Sequence, residues 1–253
     1  MNTLNKNVKW RVDNQCVLIC DCKKLVDLKI PLKFKKIIEK FEGGVNKKDL
    51  EHKEKLLFAD FEKLNLFSNL KIRSITKKEF PYAMKILDKE LNVRVRDNNF
   101  LFKMFKKFPQ FFIGIFLDKE IIGIICGFPR DDYLLISEIA VDSKFHKRGF
   151  GKKLVKKFEK IEYQKYKKIH VGAEDNAIGF YHCLGYTPFL LIQYKKGAYS
   201  LNDFKKFNIL KQSENKGYII LDVAIEKLNL NLLKKLRKNY PKAYFQYIFM
   251  KFL

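Results

Sequence analysis

The sequence lacks any apolar run long enough to cross a membrane. Its longest apolar stretches, residues 111–117 and 121–128, are separated by a charged tripeptide at 118–120, whereas a membrane-spanning helix needs about 20 apolar residues. Residues 1–12 are polar and charged, without the apolar centre of a secretory leader. We therefore expect a cytoplasmic protein that does not span a membrane.

Cysteine is scarce, and its pattern does not suggest disulfides. The chain has five cysteines, an odd number, and no Cys-x-x-Cys motif, which favours reduced thiols over a disulfide framework. Cys16, Cys20 and Cys22 share the parity of a β-strand, so a zinc site completed by His52 is one alternative. Ordinary thiols are the simpler interpretation, and we expect no metal.

Acidic residues are few beside the basic ones. The chain has 28 Asp and Glu residues and 52 Lys and Arg residues, which gives a net charge of +24. Such a balance raises the question of a nucleic acid or an anionic surface as partner. However, the lysines are scattered through every segment, and Lys, Asn, Ile, Phe and Tyr are abundant together, as a biased coding composition also produces. We interpret the charge as solvated background and keep a salt-dependent nucleic-acid interaction as the alternative.

The chain has no internal repeat or low-complexity run, and 47% apolar with 32% charged residues is typical of a globular protein. Periodicity over residues 1–69 predicts a small domain of one hairpin and two helices. The strands are predicted at 16–20 and 25–30, and the helices at 32–41, ended by Gly43 and Gly44, and at 56–66.

From residue 70 strands and helices alternate, which predicts an α/β, layered α+β fold for a second domain, residues 70–253. A C-terminal extension begins at about residue 195, where residues 195–216 are predicted to be a loop. The predicted strands are 72–76, 111–117, 121–127, 133–141, 168–171, 186–194, 218–225 and 244–251, and the predicted helices are 77–91, 98–107, 151–164, 176–184 and 230–237.

Residues 137–154 predict an anion-binding strand, turn and helix. Gly149 and Gly151 allow a ligand close to the backbone, and the first amides of the following helix have no acceptor within the helix. Four basic residues lie around this turn: Lys147, Arg148, Lys152 and Lys153. A basic residue is otherwise unfavourable in the first turn of a helix. These four would oppose the charge of a diphosphate, although a Gly-x-Gly pattern alone also fits an ordinary tight turn.

Residues 146–151, His-Lys-Arg-Gly-Phe-Gly, resemble the Gln/Arg-x-x-Gly-x-Gly/Ala signature of the GCN5-related N-acetyltransferase (GNAT) superfamily. Residues 173–186 are similar to that family's Asn-x-x-Ala-x-x-Phe-Tyr-x-x-Leu-Gly-Phe element, and the order of elements from residue 70 to 194 also follows the family. The resemblance implies a GNAT-like mixed central sheet flanked by helices, with acetyl-CoA (CoA) as co-substrate. His146 departs from the signature, which usually has Gln or Arg there.

The resemblance also implies which residues bind the cofactor. The pantetheine arm would pair with the strand backbone at Ile139 and Val141, and an amide there would polarise the thioester carbonyl. Alternative interpretations are a surface histidine for His146 and a helix N-cap for Asn176. The implied cofactor-binding residues are Ile139, Ala140, Val141, His146, Lys147, Arg148, Gly149, Phe150, Gly151, Lys152 and Asn176.

Two residues are the predicted catalytic groups. Glu138 would act as the base for the amine, directly or through water, and Tyr181 matches the family's proton donor to the departing thiolate. The alternatives are a strand carboxylate paired with a lysine for Glu138 and a core aromatic residue for Tyr181. The reaction implied is direct transfer of an acetyl group within a ternary complex.

The acceptor would be an amine of a peptide, a protein or a small molecule, bound by variable loops such as 92–105 and 195–216. Residues 1–69 faintly resemble winged-helix-like peptide-binding domains, which would add a peptide to the hairpin edge. A stabilising or dimerising appendage is the alternative for that domain. A different class also fits the charge: a basic nucleic-acid-binding or regulatory protein whose transferase-like domain only senses CoA.

Overall fold

The computed structural model of the chain describes residues 1–13, 16–21, 26–64, 66–91, 97–130, 132–161 and 166–253. Its strands are β1 (Asn2–Leu4), β2 (Val8–Asp13), β3 (Cys16–Asp21), β4 (Val26–Pro31), β5 (Phe67–Ser74), β6 (Phe112–Leu117), β7 (Glu120–Arg130), β8 (Tyr133–Val141), β9 (Lys168–Gly172), β10 (Thr187–Lys195), β11 (Asn208–Asn215), β12 (Tyr218–Ala224) and β13 (Ala243–Phe252). Its helices are α1 (Lys35–Gly43), α2 (His52–Lys63), α3 (Phe80–Glu90), α4 (Asn98–Lys107), α5 (Phe150–Glu159), α6 (Ile178–Cys183) and α7 (Leu230–Asn239).

The chain forms two compact units. The first contains Met1–Cys126 and Glu138–Ile161, and the second contains Gly127–Ser137 and Glu162–Leu253. Both β7 and β8 therefore contribute residues to each unit. The predicted domain boundary between residues 69 and 70 lies inside the first unit and stays a prediction.

The N-terminal part of the first unit is a three-stranded antiparallel sheet, β2-β3-β4, packed with α1 and α2. Alternation along the strands places Val8, Val17 and Ile19 on the face that is buried against the helices. Phe41 of α1 meets Phe61 of α2 with 5.5 Å between ring centroids. The predicted hairpin and both predicted helices are confirmed.

The rest of the first unit is a sheet with the strand order β1-β5-β6-β7-β8. β1 pairs antiparallel with β5, opposing Asn2 to Asn69, and so joins the first residues of the chain to this sheet. On one face, α3 and α4 bury a cluster in which the ring of Phe105 lies 5.1 Å from that of Phe80 and 5.4 Å from that of Phe112.

The second unit contains the parallel part of the sheet. Residues 134–136 of β8 pair in parallel with residues 169–171 of β9, and β13, β10, β12 and β11 follow in antiparallel order. Helices α6 and α7 belong to this unit. The predicted α/β class, a large mixed sheet with flanking helices, is confirmed.

The prediction of a loop over residues 195–216 is wrong. This segment contains a short 3-10 helix, Leu201–Phe204, and then β11, which pairs with β12. All but one residue of β11 is exposed, so the strand has no alternation between apolar and polar residues. An exposed edge strand with a polar sequence looks like a loop to any method based on periodicity.

Two N-terminal strands, β1 and β2, were not predicted, although Val8, Trp10 and Val12 alternate with polar residues in β2. The helix predicted to reach Gln164 ends at Glu159. Gln164, Cys22, Leu25 and residues 92–96 lie outside the described residues. None of the described helices has both the length and the apolar character needed to cross a membrane.

Candidate functional site

The turn between β8 and α5 is fixed by residues at the end of α3. Asp142 follows β8, and its carboxylate accepts the Lys144 N–H at 3.0 Å and pairs with Lys89 at 2.8 Å. The Glu90 carboxylate accepts the Ser143 N–H at 3.0 Å. The backbone that leads into α5 is therefore held by side chains from a separate helix.

Helix α5 begins without a cap from its own chain. Its N-cap is Gly149, which has φ +74° and no side chain to accept a helix amide. The Lys153 N–H donates to Gly149 O at 3.1 Å, so the amides of residues 150–152 have no acceptor within the helix. A Cβ at Gly149 would meet nothing within 4 Å. The positive φ favours glycine, and the space where a Gly149 side chain would begin is open.

The four basic side chains of this turn divide into two pairs. Lys147 and Lys152 are exposed, and Lys147 has φ +63°, a left-handed conformation that costs a non-glycine residue about 1 kcal/mol. The side chain of Arg148 is instead mostly buried and pairs with Glu42 at 3.2 Å. Lys153 is half-buried, donates to Gly44 O at 3.4 Å and has its pKa lowered by burial.

His146 is tied to the strand that precedes it. Its Nε2 lies 2.7 Å from the backbone oxygen of Val141, and because a carbonyl only accepts, this nitrogen carries the hydrogen. Nε2 is also 3.8 Å from a Glu90 oxygen. The ring is half-exposed, but it is more than a plain surface histidine, since it links the end of β8 to the turn.

The end of β8 presents backbone groups in two directions. The Asp142 N–H donates to Ile122 O of β7 at 2.9 Å, and alternate residues of a strand direct their amides to the same side. The backbone N–H and C=O groups of Ala140 thus point toward β7, whereas those of Ile139 and Val141 point to the opposite edge of β8. The Val141 oxygen accepts a hydrogen bond from His146 Nε2.

Glu138 is partly buried on β8. Its side chain shares a face with that of Ala140, which packs into the cluster formed with α3 and α4. Phe150, the first residue of α5, is buried, and its ring lies 6.5 Å from that of Phe145. The first unit therefore brings the predicted residues from Glu138 to Lys152 together on one strand, turn and helix.

Tyr181 and Asn176 lie in the second unit, at α6. Tyr181 is buried among the rings of Phe180, Tyr186 and Phe249 at 5.2 to 5.8 Å. Burial, together with the charge of Glu174, raises the pKa of its phenol, so the side chain stays neutral. Asn176 is exposed, and the N-cap of α6 is Ala177 rather than Asn176.

Sequence reasoning missed one participant in this site, Glu42. It lies in the last turn of α1, far along the chain from Arg148, and nothing in the local sequence links the two. The nearby glycines, Gly43 and Gly44, were identified only as the end of a helix. Within the described residues, no group of three or more His, Cys, Asp and Glu side chains is arranged to hold a metal ion.

Comparison with known proteins shows what the segment containing this strand, turn and helix is similar to. Residues 70–186 match the acetyltransferase (GNAT) family. No curated protein sequence matches the chain.

Several solved structures resemble the chain at low identity. Ard1 from Thermoplasma volcanium has 17% identity and TM-score 0.45, over 62% of this chain and 99% of that one. The ribosomal-protein-S18-alanine N-acetyltransferase from Escherichia coli has 16% identity and TM-score 0.42, over 64% and 99%. A GNAT family acetyltransferase from Elizabethkingia anophelis with acetyl-CoA bound has 22% identity and TM-score 0.39, over 61% and 97%. The family match at residues 70–186 confirms the resemblance to the GNAT superfamily that the sequence motifs indicate.

Proposed function

We propose that the chain is an acyl-CoA dependent N-acetyltransferase that moves an acetyl group from acetyl-CoA to an amine within a ternary complex. The observation that carries this proposal is the uncapped start of α5 at Gly149, directly after β8 and inside the segment that matches the GNAT family. Free amides at a helix N-terminus favour a diphosphate, and acetyl-CoA contains one.

The residues of the turn fit such a ligand. The amides of Phe150, Gly151 and Lys152 would bind the diphosphate oxygens, and the exposed Lys147 and Lys152 would add charge. The Ile139 backbone, directed away from β7, would pair with the pantetheine arm. Ala140 and Val141 continue this strand, and Asn176 is the further predicted contact. Arg148 would act through the conformation of the turn, because its guanidinium is engaged by Glu42.

The chemical step needs a neutral amine. An alkylamine with a pKa near 10.4 loses its proton at pH 7 at a cost of about 4.6 kcal/mol. In the proposed step, Glu138 receives this proton, directly or through water, and the amine nitrogen forms a bond to the thioester carbon. The carbon–sulfur bond then breaks, the neutral phenol of Tyr181 donates its hydrogen to the departing sulfur, and the extra proton of the acylated nitrogen returns to the phenol oxygen, so that amide, thiol and neutral Tyr181 remain.

Two titrations and one assay test this function. Calorimetry with CoA and acetyl-CoA measures binding, and thiol release with a panel of amines measures transfer. Tyr181→Phe is expected to lower turnover by about tenfold or more with CoA affinity intact, and Glu138→Gln is expected to lower turnover and to change its pH profile. Wild-type turnover in both variants contradicts the assigned roles. CoA binding without transfer to any amine favours the alternative, a CoA-sensing regulatory protein.

For the acceptor, we propose that a peptide docks on the N-terminal sheet. A cavity of about 530 Å³ at β2-β3-β4 is lined by Lys9, Arg11, Leu18 and Lys29 among others. Leu18 of the central strand lies opposite Arg11 on one side and Lys29 on the other. This chemistry suits an acidic peptide with apolar residues. A fluorescein-labelled peptide of alternating Glu and Leu is expected to bind the wild type, and this binding is expected to be lost in Leu18→Asp. Leu56→Asp, at an exposed position of α2, is the control, and equal binding by both variants contradicts the proposal.

A further inference from the structure

A carboxylate from outside the matched family segment reaches the start of α5. Glu42, in the last turn of α1, contacts two side chains at once. One oxygen lies 3.2 Å from Arg148 Nε, and the other accepts the indole N–H of Trp10 at 3.3 Å. Both oxygens are thus engaged, and Glu42 joins the N-terminal sheet to the turn at residues 146–149.

Arg148 depends on this contact. Only 8% of its side chain is exposed, against 23% for Glu42, and its guanidinium lies 5.7 Å from the ring centroid of Phe145. A buried guanidinium that loses its partner is strongly unfavourable, because the charge keeps its desolvation cost without compensation. The conformation of Arg148, and of the backbone that carries it, is therefore tied to Glu42.

The backbone near Glu42 also lies against the turn. A Cβ on Gly43 would be 3.3 Å from the Arg148 oxygen, so a larger residue there would press on the turn. At the other end, Lys153 donates to the Gly44 oxygen at 3.4 Å. The segment 42–44 thus contacts residues on both sides of Gly149, the N-cap of α5.

We propose that Glu42 is a positioning residue for the diphosphate site: it anchors Arg148 so that the amides of residues 150–152 stay presented to the cofactor. This inference rests on the proposed function. It makes the N-terminal segment a part of the cofactor site, a role that neither the family motif nor the family match assigns to it. In this proposal Glu42 acts through Arg148 and not by a contact of its own with the cofactor.

The test compares Glu42→Gln with Glu39→Gln in the full chain. Glu39 lies one turn earlier in α1 and, within the part of the chain that the structure describes, pairs only with the exposed Lys35, at 3.8 Å. We expect Glu42→Gln to raise the Kd for CoA about tenfold, a coupling typical of contacting residues, whereas Glu39→Gln keeps the wild-type value. A merely structural role would lower the melting temperature without this change in Kd at temperatures where the variant is fully folded.

Two further variants keep the test decisive. Glu42→Asp retains the carboxylate and is expected to recover part of the affinity, and the Glu42→Gln, Arg148→Met double variant is expected to bind CoA no more weakly than the weaker single variant. If Glu42→Gln does not fold, Glu42→Asp takes its place against Glu39→Asp. A Kd within twofold of wild type, or a tighter one, overturns the inference. Absence of CoA binding in the wild type overturns the proposed function itself.

Discussion

Two helices of the first unit have the same length, but one has a side-chain N-cap and the other does not. α4 and α5 each have ten residues and lysines in the last turn. At α4, the Asp97 carboxylate accepts the Phe100 N–H at 2.8 Å, whereas α5 begins at Gly149 with no side-chain cap. An Asp cap stabilises a helix by about 1 kcal/mol over Ala, and Gly lacks its carboxylate. In the proposed function, this difference leaves the first amides of α5 to a ligand, whereas the first turn of α4 is capped by the protein itself.

The largest expected effect comes from giving α5 the cap of α4. In Gly149→Asp, the carboxylate would bond to the free amides and repel the diphosphate, and Asp tolerates the left-handed conformation better than most residues. We expect the Kd for CoA to rise at least about 100-fold, measured by calorimetry. Gly149→Asn, which caps without charge, separates the two causes and should give an intermediate Kd. Unchanged affinity in Gly149→Asp would show that the amides are not the binding site.

At the start of a third helix, α3, the carboxylate of Glu79 stabilises the fold. Glu79 pairs with Arg73 at 2.7 Å and accepts the Thr76 N–H at 2.8 Å. The hydrogen bonds from Arg73, opposed by burial and aided by the Thr76 amide, lower the pKa of Glu79 to about 2. Since the folded pKa lies below the unfolded one, the stabilisation is present above about pH 4.5 and is lost as the pH falls toward 2.

Glu79→Gln is therefore expected to lower the free energy of unfolding by about 2 kcal/mol at pH 7. Denaturant unfolding of wild type and variant at pH 7, 4 and 2.5 measures the difference, which should shrink with the pH. Glu120→Gln, at an exposed pair with Lys6, is the control. A difference that stays constant over this range would contradict the role of the carboxylate charge.

Lysine pairs near the two helices test whether local charge or general charge attracts the cofactor. Replacing Lys147 and Lys152 by Gln removes the exposed charge at the uncapped start of α5, and we expect the Kd for CoA to rise about tenfold, with a weaker dependence on salt. The matched pair, Lys106 and Lys107 at the end of α4, should leave the Kd unchanged. An equal effect of both pairs would mean that only the general basic charge of the protein attracts the anion.

The smallest expected effect concerns the capped helix. Asp97→Ala removes the cap of α4 and is expected to lower the free energy of unfolding by about 1 kcal/mol, while the Kd for CoA keeps its wild-type value. Denaturant unfolding and calorimetry on the same sample check both statements. A loss of CoA affinity in this variant would remove the distinction between the two helix starts.

The sequence predicts the start of α5 because its signals are local. Gly149, Gly151 and the surrounding basic residues are contiguous, and a positive φ followed by a helix is a local property of the backbone. The directions of Arg148 and Lys153 could not be predicted in the same way. Both side chains are turned toward segment 42–44, and only tertiary packing brings these parts of the chain together.

The missed edge strand has the same origin. β11 is an edge strand that pairs with β12, while its own sequence is mostly polar and all but one of its residues are exposed. Residues whose structure depends on a distant partner are the ones that sequence periodicity misses.

The central claim is that the amides at the start of α5 bind the diphosphate of CoA. The most direct measurement is an NMR titration of the uniformly ¹⁵N-labelled protein with CoA, in wild type and in Gly149→Asp. We expect saturable shifts of the Phe150, Gly151 and Lys152 amides in the wild type and the loss of these shifts in the variant. CoA binding that leaves these three amides unshifted would contradict the central claim.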